Sequence, residues 1–138
     1  MGSVERARII RLGLAAVLLT AAPPLFAQPK ADDKKADDTI VLSVGELLSI
    51  TEYFVVTSAT NRRLVRTIVE AVEERVRAVL GRSPLRLEGL SEAQWVLMDY
   101  GDVVVHVFAE ETRQFYEIER LYRDVPRVDW RPEVAAEG

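Results

Sequence analysis

The sequence predicts an α/β or α+β domain, in which helices pack against a mixed sheet of about five strands. Short β-branched runs are separated by turn residues, one long amphipathic segment interrupts them, and a final run-turn-run pattern is typical of an antiparallel hairpin. With 138 residues, 49% of them hydrophobic, the chain can build one domain with a real core but not two.

Two apolar runs open the domain. Residues 39–44 are rich in β-branched side chains and lie between an Asp pair and Gly45, which indicates a strand. Residues 46–50 are expected to form a short helical turn or a loop. Residues 53–57 are apolar on both faces, so they predict a second strand in the centre of the sheet.

A long helix is predicted from about Arg62 to Leu80. Thr60 or Asn61 suits its N-cap, Gly81 suits its end, and Pro84 prevents its continuation. Its apolar side chains recur at three- and four-residue steps and form a single stripe. The stripe comprises Leu64, Val65, Ile68, Val72, Val76 and Val79.

The second half of the domain predicts three more strands. Residues 85–88 alternate between polar and apolar, as in a half-buried strand. Residues 95–98 and 103–108 are apolar runs, and the turn at 99–102 contains Gly101, which accepts positive φ. The last two strands therefore predict an antiparallel hairpin.

A final helix is predicted over residues 110–122, because an acidic first turn suits the positive end of a helix. Arg113 and Glu117 are spaced for an i,i+4 ion pair. The predicted apolar stripe comprises Phe115, Ile118, Leu121 and Tyr122. Residues 127–138 are expected to form a flexible tail.

The first 28 residues are similar to a secretory signal. Three arginines precede a short apolar run at residues 12–22, which is too short to span a bilayer, since that takes about 20 apolar residues. A cleavage site after Ala27 is mediocre, because Leu25 is larger than signal peptidase prefers. The alternatives are an upstream extension or a start codon placed too early. The domain itself is expected over residues 29–126.

The charge balance argues against direct nucleic-acid binding. The chain has 18 basic and 22 acidic residues. Residues 1–28 hold three of the basic residues and one of the acidic residues, so the other 15 basic and 21 acidic residues give the remainder a net charge of −6. An acidic domain is a poor general phosphate binder. If the domain works near nucleic acid, we expect it to bind a basic protein there.

Motifs that carry chemistry are largely missing from the sequence. There is no cysteine, which excludes disulfides, thiolate metal sites and a cysteine nucleophile. His106 lies inside a valine-rich run and indicates a core histidine rather than a catalytic base. Asp99 and Asp102 flank a turn, and no Asp-x-Asp pair exists for a two-metal site. We therefore predict no enzyme activity, no cofactor and no metal.

One cluster has no evident structural purpose. Trp95 and Tyr100 are interleaved with Asp99 and Asp102 on the predicted hairpin, close in sequence to Glu88. Aromatic side chains often dominate the binding energy of protein–protein contacts. The alternative is that Trp95 belongs to the core and that the two acids only form the turn.

Several segments resemble the Iojap/RsfS family of ribosomal silencing factors. Residues 88–90 and 95–108 (WVLMDYGDVVVHVF) match the family's signature core, and residues 111–122 (ETRQFYEIERLY) are similar to its E-x-R-x-x-Y-x-L-E-x-L-W pattern. Residues 33–44 and 50–57 fit as well. The resemblance covers about residues 30 to 126. It departs from the family pattern at three places: Ser43 replaces the usual Asp, residues 58–61 replace a loop that contains Gly-Thr-Ser, and Tyr122 replaces the final Trp.

The resemblance implies a fold related to nucleotidyltransferases but without their catalytic acids. It also implies docking on ribosomal protein fourteen of the large ribosomal subunit, a basic partner. The bound domain would block subunit joining and repress translation under nutrient limitation. The partner-binding residues it implies are Glu88, Trp95, Asp99, Tyr100, Asp102, Arg113 and Tyr116.

Several expectations follow for location and partners. The resemblance favours the cytoplasm, with no membrane partner and no direct nucleic-acid readout, and a homodimer is left open. The alternatives are a secreted or periplasmic binding domain, indicated by residues 1–28, and a residual nucleotidyltransferase-like enzyme that uses Asp99, Asp102 and His106.

Overall fold

The computed structural model describes residues 39–128, which form one mixed sheet with helices on both faces. The signal-like segment predicted at residues 1–28 lies outside the described residues, and so does most of the tail predicted at 127–138. The elements in chain order are β1 (Ile40–Ser43), α1 (Gly45–Leu48), β2 (Tyr53–Ala59), α2 (Arg62–Leu80), β3 (Arg86–Glu88), β4 (Trp95–Asp99), β5 (Val103–Ala109), α3 (Glu110–Tyr116), α4 (Ile118–Leu121) and β6 (Arg127–Val128).

The sheet has the strand order β3-β4-β5-β2-β1-β6. Its two central strands, β2 and β5, pair in parallel, and the other pairs are antiparallel. The predicted mixed sheet flanked by helices is thus confirmed, with six strands in place of about five. The additional strand, β6, pairs Val128 with Val41 and Arg127 with Leu42. Two residues are too few to show a strand pattern in the sequence.

Helix α2 covers one face of the sheet. Its buried residues, Val65, Ile68, Val69, Val72 and Val76, pack in one apolar cluster with side chains from the strands beneath. The predicted ends are confirmed. The Asn61 side chain accepts a hydrogen bond from the backbone N–H of Leu64 at 2.9 Å, and Gly81 ends the helix in the left-handed conformation.

Helices α3 and α4 cover only part of the opposite face. Ile118 of α4 is buried in a second cluster with Leu42, Phe54, Val104 and Phe108, which come from β1, β2 and β5. On the same side of the sheet, the side chains of β3 and β4 remain exposed or half-buried. This half of the face is therefore open to a partner.

The predicted single helix over residues 110–122 is wrong, because the helix breaks at Glu117. This residue adopts φ 49° and ψ 54°, a left-handed conformation between α3 and α4. The break turns Ile118 into the core and leaves Phe115 and Leu121 with 78% and 76% of their surface exposed. The predicted apolar stripe is thereby split, since residues three apart share a face only in a continuous helix.

Candidate interaction surface

The cross-strand register brings a set of side chains to the open half of the sheet. Leu97 pairs with Glu88 on one side and with His106 on the other. Because side chains alternate along a strand, every second residue of β4 lies on this face, while Val96 and Met98 are fully buried beneath α2. We call this surface the open face. Its residues are Arg86, Glu88, Trp95, Leu97 and Asp99.

Trp95 connects the open face to the core. Its indole stacks on Phe108, with ring centroids 4.8 Å apart and an interplanar angle of 28°. Tyr116 of α3 lies 5.1 Å away and in turn contacts Phe115 at 5.0 Å. The four rings form a continuous path from a buried phenylalanine to an exposed one, and Trp95 is the half-buried step.

Gly89 packs closely against the backbone of Trp95, the first residue of β4. Gly89 has φ +86°, and a Cβ at this position would overlap the backbone carbonyl oxygen of Trp95. The Gly89 carbonyl also accepts a hydrogen bond from the backbone N–H of Ala93 at 2.9 Å. Only glycine satisfies both the dihedral angle and the close contact.

His106 lies on β5 diagonally across from Trp95, since the register partner of His106 on β4 is Leu97. The indole N–H of Trp95 donates to Nδ1 of His106 at 3.1 Å. His106 is only 4% exposed, and burial lowers its pKa from the usual 6.5 to about 4. This confirms the interpretation of His106 as a core histidine. Its Nε2 has no hydrogen-bond partner among the described residues, and an unpaired buried donor costs about 1–3 kcal/mol.

The hairpin turn carries three of the residues that the resemblance implied. A carboxylate oxygen of Asp99 accepts from the backbone N–H of Gly101 at 2.8 Å. Asp102 forms an ion pair with Arg82 at 2.8 Å. Tyr100 is 1% exposed and packs in the cluster beneath α2, and burial raises its pKa to about 12. A partner could touch its ring only if the turn opened.

Arg113 acts inside the domain. Its guanidinium donates to one carboxylate oxygen of Glu119 at 2.6 and 3.0 Å and to the Ser58 hydroxyl at 3.0 Å, and its side chain is 10% exposed. The predicted pairing of Arg113 with Glu117 is wrong, since the helix break brings Glu119 to it. These bonds join α3 and α4 to β2 and so hold Tyr116 beside Trp95.

The seven predicted residues therefore separate into two groups. Four lie on the open face or at its border, and the other three, Tyr100, Asp102 and Arg113, are buried or paired within the domain. Glu88, Trp95 and Asp99 share the open face, and the half-exposed Tyr116 borders it. Asp99 also begins the turn, about 13 Å along β4 from Trp95 at the usual rise of a strand. Leu97, which the sequence reasoning missed, lies between them. The alternation of Trp95, Leu97 and Asp99 along one strand was the signal that could have found it.

Residues 39–128 contain neither a metal-ligating cluster nor a membrane-spanning helix. No group of three or more His, Cys, Asp or Glu side chains in this range is arranged to hold a metal ion. None of the helices in the same range is both long enough and apolar enough to cross a membrane.

A family model described as ribosomal silencing factor during starvation, RsfS, matches residues 25–137. The chain belongs to the RsfS family of ribosomal silencing factors. The match spans the whole open face and both helices that border it, and it confirms the resemblance found in the sequence. Membership of the RsfS family supports a ribosome-associated silencing role.

Similar proteins include bacterial and organellar relatives. A ribosomal silencing factor RsfS from Bacillus subtilis is 34% identical over 104 residues, covering 75% of this chain and 87% of the relative. The RsfS of Halalkalibacterium halodurans is 37% identical over 98 residues, covering 71% and 83%. The mouse protein named mitochondrial assembly of ribosomal large subunit protein 1 is 30% identical over 106 residues, covering 75% of this chain and 46% of the mouse protein.

Solved structures share the fold. A crystal structure of a protein from Chromobacterium violaceum superposes with a TM-score of 0.67 at 28% identity, covering 79% of this chain and 82% of that one. A crystal structure of a protein from Bacillus halodurans gives a TM-score of 0.61 at 29% identity, covering 89% and 98%.

The buried neutral imidazole of His106 predicts a loss of stability in acid. A pKa near 4 in the folded state, against the usual 6.5, means that the unfolded chain binds more protons between these values. Stability should therefore be complete above pH 6.5 and fall as the pH drops toward 4. The contribution of His106 between pH 7 and 4.5 is on the order of 2–3 kcal/mol.

Urea denaturation of the wild type and of His106→Asn at pH 7 and at pH 4.5 measures this contribution to the free energy of unfolding. The carboxylates common to both proteins cancel in the comparison. An equal pH dependence in the two proteins would contradict a buried neutral His106.

Proposed function

We propose that this RsfS-family chain binds the large ribosomal subunit through its open face and, while bound, sterically blocks joining of the small subunit. The observation that carries the proposal is the open face itself. It combines a rigid aromatic anchor, Trp95, with the acidic side chains Glu88 and Asp99 on a half-sheet that α3 and α4 leave uncovered. Such a surface suits a protein partner, since buried aromatic anchors carry much of the energy of protein interfaces.

The chemistry of the surface favours a basic partner. Glu88 is exposed and is paired only loosely with Arg86, at 3.7 Å between two exposed side chains. Acidic groups of this kind contribute to encounter rate and to specificity when they face positive charge. The resemblance points to ribosomal protein fourteen of the large subunit, and the mouse relative carries the large subunit in its name. A cytoplasmic location belongs to the same proposal.

The proposed mechanism needs no chemical step. A domain bound on the joining surface excludes the small subunit by its volume, so the fraction of silenced subunits equals the fraction that carries the chain. This fraction depends on the concentration of the chain relative to its Kd for the subunit. Translation would fall under nutrient limitation if the ratio of the chain to free large subunits rises.

Removal of the aromatic anchor should weaken binding. Trp95→Ala deletes the half-buried indole and its contacts with Phe108 and Tyr116, and truncation of such an anchor typically costs 2 kcal/mol or more, so we expect a loss of affinity of about 30-fold or greater. Co-sedimentation of the full chain with purified large subunits over a range of chain concentrations measures it.

Val79→Ala is the matched control, because Val79 is an exposed apolar residue of α2, on the other side of the sheet. It should bind as the wild type does. A folded Trp95→Ala protein that pellets with full affinity would remove Trp95 from the interface.

Charge reversal on the open face should weaken binding in a salt-dependent manner. Glu88→Lys places a positive charge opposite a basic partner, and we expect a several-fold to tenfold loss of affinity at low salt that narrows as ionic strength rises. The control is Glu74→Lys, an exposed position of α2 with the same change in net charge. Equal losses for both variants would mean that overall charge, and not the open face, governs binding.

A further inference from the structure

The hydrogen bond between Trp95 and His106 assigns a task to a buried side chain that the docking surface does not itself include. We infer that His106 is a positioning residue for docking: it holds the Trp95 indole with its one N–H turned toward β5, so that the open face presents the carbon atoms of the indole to the partner. The consequence for binding rests on the proposed function, whereas the positioning itself does not.

The geometry determines which imidazole nitrogen carries the proton. An indole N–H can only donate, so the Nδ1 that receives it at 3.1 Å must offer a lone pair. In the neutral ring, which its burial favours, the proton then lies on Nε2. The ring is also confined by Phe54, at 4.5 Å between centroids, and by Phe108, at 6.3 Å. His106 therefore presents a fixed acceptor to the indole.

Stability of the core does not account for a histidine at this position. The cross-strand partners of His106 are Val56 and Leu97, and its ring neighbours are aromatic, so an apolar side chain would suit the surroundings. With histidine, Nε2 is buried without a hydrogen-bond partner among the described residues. Within residues 39–128, the polar contact of the imidazole is the bond to Trp95, which points to the orientation of the indole as its purpose.

The orientation determines what the partner can recognise. The nitrogen is the only polar atom of a tryptophan side chain, and its N–H is already bonded to His106. The part of Trp95 that remains is carbon, with the ring stacked on Phe108 and Tyr116 5.1 Å away. Such a surface suits the aliphatic stem of lysine or arginine better than it suits a hydrogen-bond acceptor. This preference agrees with the acidic side chains Glu88 and Asp99 elsewhere on the open face, which favour the same class of partner.

A pair of variants separates the acceptor from the volume of the side chain. His106→Asn keeps an acceptor, because its Oδ1 branches from the same carbon as Nδ1 does. His106→Leu fills similar space without an acceptor. Full-length proteins carrying Trp130→Phe leave Trp95 as the single indole, since the chain has two tryptophans. Hydrogen exchange of the indole N–H by NMR and co-sedimentation with purified large subunits are then measured on each.

We expect slow indole exchange in the wild type and in His106→Asn, and fast exchange in His106→Leu. Affinity should fall by about tenfold in His106→Leu, the effect of one ordinary hydrogen bond, and should recover in His106→Asn. Urea denaturation should show that His106→Leu is at least as stable as His106→Asn, so that weaker binding cannot be attributed to unfolding. The imidazole ¹⁵N shifts of the wild type should report a proton on Nε2.

Two results would overturn the inference. The first is slow indole exchange in His106→Leu, because the indole would then be held without the acceptor. The second is fast exchange in His106→Leu with undiminished affinity, because the orientation would then not serve docking. If the wild type itself does not pellet with large subunits, the proposed function fails, and the exchange measurement still decides whether His106 positions Trp95.

Discussion

The unequal cover of the two sheet faces is the constraint on which the rest of the structure depends. On one face, α2 alone buries five side chains against the strands, whereas on the other face α3 buries none and α4 buries only Ile118. One face is therefore closed by a single helix, and the other stays partly open.

The break at Glu117 decides which strands remain open. It turns the chain after α3 so that Ile118 and Tyr122 pack over β1 and β2, with the rings of Phe54 and Tyr122 5.3 Å apart. The Arg113 bonds to Glu119 and Ser58 keep this corner in place. On this face of the sheet, β3 and β4 are left mostly uncovered, and the aromatic path ends at the surface beside them.

A surface built in this way is ready for binding before a partner arrives. Trp95 is held by a hydrogen bond, by a stacked ring and by Tyr116, so little side-chain freedom remains to be lost on association. Glu88, an exposed side chain of the same face, is more loosely held and can adjust to a basic surface. Rigid anchors with adaptable charges at their rim are the arrangement that gives affinity and specificity together.

The sequence predicted those parts of the fold that depend on neighbours along the chain. The ends of α2, the glycine that terminates it and the β4–β5 hairpin follow from caps, periodicity and turn residues. The helix break did not follow, because Arg113 makes its contact with Ser58, 55 residues away. The resemblance supplied a set of site residues, but it could not separate residues exposed to a partner from residues that hold the domain together. Tyr100 is buried by the packing of α2, and Asp102 is paired with Arg82, 20 residues away.

A cryo-electron microscopy map of large ribosomal subunits saturated with the full chain is the most direct test of docking through the open face. We expect the domain on the surface where the small subunit joins, with Trp95, Leu97 and Glu88 against a basic protein of the large subunit. A domain bound through the exposed side of α2, or one located away from the joining surface, would contradict it.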